Sequence, residues 1–315
     1  VYGGANLGAR QPMNYVIHTD TLTKKFRRVN ALNGLDLSVP ASAVYAFVGP
    51  NGAGKTTAIK ILMNIIRPTA GRASVLGVDS ARIAGRAFAS IGYASENQQL
   101  PGWMRVGTFL AYLRPFYPTW DIELEAQLVK SFELPVDRKL RHLSRGMRMK
   151  AALASALALR PKLIVLDEPF SGLDPLVRDQ LSQALLQRSP ETTIFISSHD
   201  LAEVEGLATH VGYLEAGCLR FSEEMASLSA RFREVEVVFE NSAILPQDLP
   251  ATWLQIAVSP IVLRFVDSAF DQNHSTAEIA RRFGSVRNVT FTPMPLRAIF
   301  LTMARTPLAT KEKPQ

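Results

Sequence analysis

The chain has 315 residues, 47% of them apolar and 20% charged, a formal net charge of +7 and a single cysteine. That length suits two domains that each bury a core, and lone Cys218 excludes an internal disulfide and a cysteine metal cluster, as expected in a reducing cytoplasm. The apolar stretch most like a membrane span, 151–165, is broken by Arg160, Pro161 and Lys162, so no transmembrane helix is expected; the positive charge alone does not separate nucleic acid, anionic lipid or plain solubility as its reason.

Along the chain, the opening VYGGANLGARQP lacks the basic start and apolar core of a secretory signal. Residues 1–13 are therefore set aside as an extension, with Met13 as a candidate start. Strand-like runs follow at Leu35 to Val39, Ala43 to Val48, Ser90 to Ala94, Leu163 to Asp167 and Thr193 to Ser197, and the later ones alternate with helical patterns. AVYAFVG and KLIVLD read as strands buried on both faces, which predicts a doubly wound α/β core.

From about 97 to 160 the pattern turns helical. Phe109, Tyr112, Leu113 and Phe116 share one helical face expected to be mostly buried, and Ile122 to Leu134 form a second amphipathic stretch. This is an inserted helical subdomain. Beyond Arg231 the texture restarts with REVEVVFE, ATWLQIAV and IVLRFVDS, a helix from Ser275, a strand from Val286 and a last helix near Leu296 to Ala304, with NSAILPQDLP as a loop. The expected organisation is thus 14–230 plus a small α+β domain over 231–315.

Chemistry enters with GPNGAGKTT, residues 49–57, directly after the second strand run. Glycines there let backbone N–H groups turn inward; the helix beginning near Lys55 adds its dipole, the ammonium a mobile charge, and a hydroxyl of Thr56 or Thr57 a metal ligand. That is a cradle for nucleotide phosphates, and at this point neither the base nor the fate of the phosphates is fixed. KLIVLDEPFSGLD puts Asp167 and Glu168 at the open end of a buried strand, where one carboxylate can serve a magnesium shell and the next can orient water. In HLSRGMRMK, Ser144 caps the helix of AALASALALR and leaves its hydroxyl, the Gly146 N–H and the dipole facing an anion; an ordinary N-cap is the alternative.

The ordered set GPNGAGKTT, LSRGM, LIVLDEP, SGLD and SSHD resembles the ATP-binding subunit of ABC transporters over about residues 14–230. The resemblance implies a P-loop ATPase core of that type, with ATP and Mg2+ as ligands. It makes Asn51, Gly52, Ala53, Gly54, Lys55, Thr56 and Thr57 the phosphate loop, with Lys55 on the outer phosphates and Thr56 on magnesium. It makes Asp167 the magnesium carboxylate, Glu168 the catalytic one, and His199 the switch histidine on the terminal phosphate. Ser144 and Gly146 are implied to complete the site of a second subunit in a head-to-tail dimer, with itself or a paralogue, and Asp174 to cross that interface. Phe26 matches the aromatic that stacks on adenine, a core phenylalanine being the alternative.

Two motifs depart from the common pattern. LSGGQ becomes LSRGM, with Arg145 and Met147, and the usual lid glutamine that joins magnesium and water to the membrane partner becomes Glu96. The direction of Arg145 is open from sequence. LSRGM, GYASEN and RPFYPTWD look like exporters of the antibiotic or drug-resistance kind, implying a separate transmembrane permease, a peripheral place on the cytoplasmic side of the plasma membrane, and no direct nucleic-acid partner. Trp103, Tyr117 and Trp120 are expected beside an apolar groove near the lid. A soluble ABC ATPase acting on nucleic acid is the rival; translation-type members carry two cassettes and chromosome-packing members a long coiled coil between Lys55 and Ser144, and the sequence has neither. A regulatory module that binds ATP without turnover would not need Glu168 and His199 together with Lys55 and Asp167.

Overall fold

The apolar strand that precedes the phosphate loop lies inside a sheet because every one of its residues, Val44 to Val48, is buried. A computed structural model describes residues 15–240, 245–246 and 248–305. The expected extension 1–13 and part of the loop at 241–250 lie outside the described residues.

In chain order, β1 (Tyr15–Phe26), β2 (Val29–Leu35), β3 (Ser38–Pro40) and β4 (Val44–Val48) precede α1 (Lys55–Leu62). β5 (Ala70–Val75), β6 (Val78–Asp79) and β7 (Ile91–Ser95) lead to α2 (Val106–Leu113), α3 (Ile122–Ser131) and α4 (Arg145–Ala158). β8 (Leu163–Asp167), α5 (Pro175–Leu186), β9 (Thr193–Ser198), β10 (His210–Glu215) and β11 (Cys218–Glu224) follow. The remainder is α6 (Met225–Arg231), β12 (Arg233–Val238), β13 (Trp253–Val258), β14 (Val262–Asp267), α7 (Gln272–Phe283), β15 (Asn288–Pro293) and α8 (Leu296–Arg305).

One sheet has the order β11-β10-β4-β9-β8-β7, and β10, β4, β9, β8 and β7 pair in parallel. Its buried apolar strands and its non-sequential order are those of an α/β sheet whose ligands gather at the carboxyl ends of the strands. A second, antiparallel sheet runs β2-β1-β5-β6 with β3 on β1. Leu22, Leu35, Val39, Phe47, Ile59 and Phe195 belong to the core that joins both sheets to α1. The expected strand Leu35 to Val39 is a correction: residues 36–37 break it, and its halves pair separately with β1 as the end of β2 and as β3.

The helical stretch resolves into α2, α3 and α4, but its first face is not mostly buried. Phe109 is buried, whereas Tyr112 is 53% and Phe116 61% exposed; their rings pack on each other with centroids 5.4 Å apart, on a stretch that continues from α2 into a 3-10 turn at 114–116. Glu125, buried in α3, accepts from Arg114 and from the indole of Trp120.

The chain divides into two compact units between Ser222 and Glu223, earlier than the expected 230/231. Arg231 explains the shift: its guanidinium pairs with Glu223 and donates to the carbonyl of Ser268, drawing α6 into the second unit. That unit carries the antiparallel sheet β13-β14-β12-β15. Trp253 stacks on Phe265 with centroids 4.0 Å apart over a core with Val235, Val237, Leu263 and Ile279.

Candidate nucleotide site

Lys55 opens α1 at the carboxyl end of β4, and the loop 49–54 reaches it through left-handed turns. Gly54 has φ 111°, and a Cβ there would stand 2.3 Å from the carbonyl oxygen of Ala31, so only glycine fits. The N–H of Gly49 donates to Ser198 at the end of β9, which ties the loop to the neighbouring strand. Asn51 and Gly52 are exposed, while Ala53 and Lys55 are buried and Thr56 and Thr57 half-buried. Lys55 Nζ donates to the carbonyls of Gly49 and Pro50 and lies 3.1 Å from Oε1 of Glu168.

Asp167 ends β8 almost wholly buried. The Thr56 hydroxyl donates to its Oδ1 at 3.0 Å and the Ser197 hydroxyl to the same atom at 2.8 Å. Burial pushes its carboxyl above the usual range, opposed by those two hydrogen bonds; the neighbouring Glu168 adds to the rise, and Lys55 works against it. Such a buried carboxylate with a hydroxyl oxygen beside it is a hard-oxygen donor set suited to Mg2+.

Glu168 has φ 52°, a left-handed conformation that costs a non-glycine residue on the order of 1–3 kcal/mol. Ser197 helps hold it there by accepting the Glu168 N–H at 3.0 Å. The side chain is thereby bracketed: Lys55 on Oε1 and His199 Nδ1 on Oε2 at 2.7 Å. The hydrogen bond to Glu168 pushes His199 above its ordinary pKa, with burial opposing. Lys55, Thr56, Asp167, Glu168 and His199 therefore meet at adjoining ends of β4, β8 and β9. Sequence reading passed over Ser197, whose signal was its place at the end of the strand TTIFISS, two residues before His199.

The other expected residues lie in separate groups. Ser144 caps α4 by accepting from Met147, Asp174 caps α5 by accepting from Val177, and Gly146 packs against Val177 and Leu173. Ser144 and Asp174 are exposed. Phe26 is 46% exposed at the end of β1 with Lys24 over its ring, so the core reading fails. Glu96 follows β7; its N–H donates to the Asp167 carbonyl while its carboxylate pairs with Arg145.

A phosphate loop at the end of the buried parallel strand β4, facing a buried carboxylate and an acidic neighbour at the end of β8, one strand away across β9, defines a P-loop nucleotide-binding ATPase. Residues 32–171 match the ABC transporter family, and the bacitracin transport ATP-binding protein BcrA of Enterococcus faecalis is 30% identical over 280 residues, covering 86% of this chain and 89% of that protein. The chain belongs to that family, as an ATP-binding subunit with the ABC ATPase fold. The daunorubicin/doxorubicin resistance ATP-binding protein DrrA of Streptomyces peucetius is 29% identical over 309 residues, covering 92% and 93%. A solved ATP-binding subunit of an ABC transporter is 25% identical with a TM-score of 0.62, over 68% of this chain and 92% of that one. Among the described residues no helix is long and apolar enough to cross a membrane.

Proposed function

We propose that this chain powers a drug or antibiotic exporter: two copies, or one copy and a paralogue, close head to tail on ATP and drive a separate transmembrane permease from the cytoplasmic face of the plasma membrane. The observation that carries the reading is the convergence of Lys55 and His199 on the two carboxylate oxygens of Glu168. The names of the bacitracin and daunorubicin/doxorubicin relatives support export of drug-like cargo.

In this reading Asn51, Gly52, Ala53, Gly54 and Thr57 wrap the phosphates, Lys55 binds the outer ones and Phe26 stacks on adenine. Thr56 and Asp167 would hold Mg2+, with Glu96 as a further contact, and the ion would neutralise phosphate charge. Glu168 orients water in line with the terminal phosphate, and His199 fixes the Glu168 carboxylate and contacts that phosphate. Ser144 and Asp174, exposed helix caps, and half-buried Gly146 in the first turn of α4 serve the nucleotide of the second subunit.

The permease contact would be an apolar groove of about 360 Å³ lined by residues including Met63, Phe88, Tyr93, Phe109 and Tyr117, with Gln98 of the lid at its edge. A short permease helix suits it. Tyr117 lines this groove; Trp103 and Trp120 are not among its lining residues, and the Trp120 indole is held by Glu125. The unit that ends at Ser222 acts as the ATPase domain, with 97–160 as its helical part, and the unit that begins at Glu223 as an accessory domain.

Co-reconstitution with the permease encoded by a neighbouring gene tests this: ATP hydrolysis should rise when the permease is present, and cargo should accumulate in inverted vesicles. Hydrolysis indifferent to the permease but stimulated by nucleic acid would favour the soluble alternative.

A further inference from the structure

Arg145 occupies the first residue of α4, directly after its cap Ser144. A cation there faces the positive end of the helix dipole, and the first turn of α4 holds no acidic residue to offset it. The compensation comes from elsewhere in the chain. The Arg145 guanidinium pairs with the Glu96 carboxylate, so that a negative charge from the lid is brought to the helix start.

The same guanidinium rests on the SGLD turn. Gly172 has φ 62°, and a Cβ on it would lie 2.7 Å from Nη1 of Arg145. The lid itself is anchored through the Glu96 N–H to the carbonyl of Asp167, at the end of β8. Ser95, Glu96, Arg145, Glu168 and Ser171 help line one pocket of about 30 Å³, a volume that suits one or two waters. One side chain thus touches the lid, the start of α4 and the SGLD turn around a pocket that Glu168 also lines.

We propose that Arg145 is a positioning residue with two effects. It fastens the lid and the SGLD turn to the first turn of α4, so that these segments move as one body. It also offsets the charge of Glu96, so that this carboxylate meets the triphosphate and its Mg2+ as one half of an ion pair rather than as a full negative charge. The departures at positions 96 and 145 are then one device: the acid at the lid requires the base on the helix. The fastening stands on the geometry alone, and the electrostatic effect rests on the nucleotide reading of the site.

The test is a double-mutant cycle on the full chain, with a fluorescent, non-hydrolysable ATP analogue as the probe and hydrogen exchange as a second readout. Arg145→Ala should weaken analogue binding about two- to fivefold and speed exchange in 96–100 by a similar factor, the range expected when a partly exposed ion pair is lost. On a Glu96→Gln background the same substitution should change binding less than about twofold, because the carboxylate to be neutralised is gone. Arg145→Lys should restore the binding and only part of the exchange protection, since an ammonium keeps the charge but not the planar contact with Gly172. Unchanged exchange at Leu163–Asp167 marks an intact fold, and Arg145→Gln replaces the alanine variant if that strand loosens. Equal weakening on both backgrounds overturns the electrostatic effect, and lid exchange indifferent to Arg145→Ala overturns the fastening. A wild-type chain that binds no analogue while its lid exchange still responds to Arg145→Ala would overturn the nucleotide reading and leave the fastening supported.

Discussion

His199 Nδ1 lies 2.7 Å from Oε2 of Glu168 while the other oxygen of that carboxylate faces Lys55, so the side chain is oriented by two cationic or protonatable groups before any water is placed. An amide at this position keeps the size and part of the hydrogen bonding but loses the charge. Glu168→Gln should reduce ATP hydrolysis about 100-fold or more, the lower end of what a positioned acid–base group contributes, while ATP binding persists. The variant should elute as a dimer with ATP in size-exclusion chromatography. Hydrolysis at the wild-type rate would remove Glu168 from the catalytic role.

The same contact carries a pH signature. His199 is pushed above the ordinary 6.5 chiefly by its hydrogen bond to Glu168. Because the folded value is the higher one, the stabilisation it reports is complete below the unfolded value near 6.5 and is lost as pH rises through the raised value. Thermal midpoints should therefore fall across that window in the wild type and fall less in His199→Ala. An imidazole titration followed by NMR should give a value above 6.5 that drops in Glu168→Gln; a value at or below 6.5 in the wild type would contradict the pairing.

Asp167 sits in the opposite situation, a carboxylate raised by burial and steadied by the hydroxyls of Ser197 and Thr56. A cation beside it would favour its charged form. Adding Mg2+ to the ATP-analogue complex should raise the thermal midpoint, and EDTA should reverse the rise; at ligand about 100 times Kd the gain is about 2.7 kcal/mol. Thr56→Val and Asp167→Asn should each shrink the Mg2+ increment. An increment that survives both substitutions would place the ion elsewhere.

Ser144 lies at an exposed helix start, on a different element from Lys55. If the two serve one nucleotide across a dimer, Lys55→Ala and Ser144→Arg chains should each be inactive alone and, when mixed under subunit exchange, regain about a quarter of wild-type activity, since half the dimers are mixed and each holds one complete site of two. A mixture as inactive as its parts would break the shared-site reading.

What the sequence discloses follows from how each strand is buried. β4, β8 and β9 are buried on both faces and stand out by their continuous apolar stretches, and the glycines and lysine of 49–57 are legible because few other patterns place an anion cradle after such a strand. β1 was invisible for the opposite reason: YVIHTDTLTKKF is half polar, and register shifts against β2, β3 and β5 interrupt any regular alternation. Helical spacing correctly set Phe109 and Leu113 on a common face, yet spacing says nothing of what that face meets, and Tyr112 proved exposed. Arg145 and Glu96 are 49 positions apart in sequence, and only the closeness of β7's end to the start of α4 makes them partners.

The central place of β4 has a consequence for biosynthesis. Its neighbours in the parallel sheet are β9 and β10, with Val44 opposite Ile194 and Tyr45 opposite His210. A ribosome adding about 5–20 residues per second needs roughly 8–30 s to go from the one strand to the first of its partners. The antiparallel pairings of β1, β2, β3, β5 and β6 use only residues up to Asp79, so they can close during that interval. β4, apolar on both sides, waits without its flanking strands, and the hydrogen bond from Gly49 to Ser198 cannot form until β9 has emerged. The phosphate loop is thus translated early and completed late: nucleotide can stabilise the finished sheet, but it cannot template the first steps of its assembly.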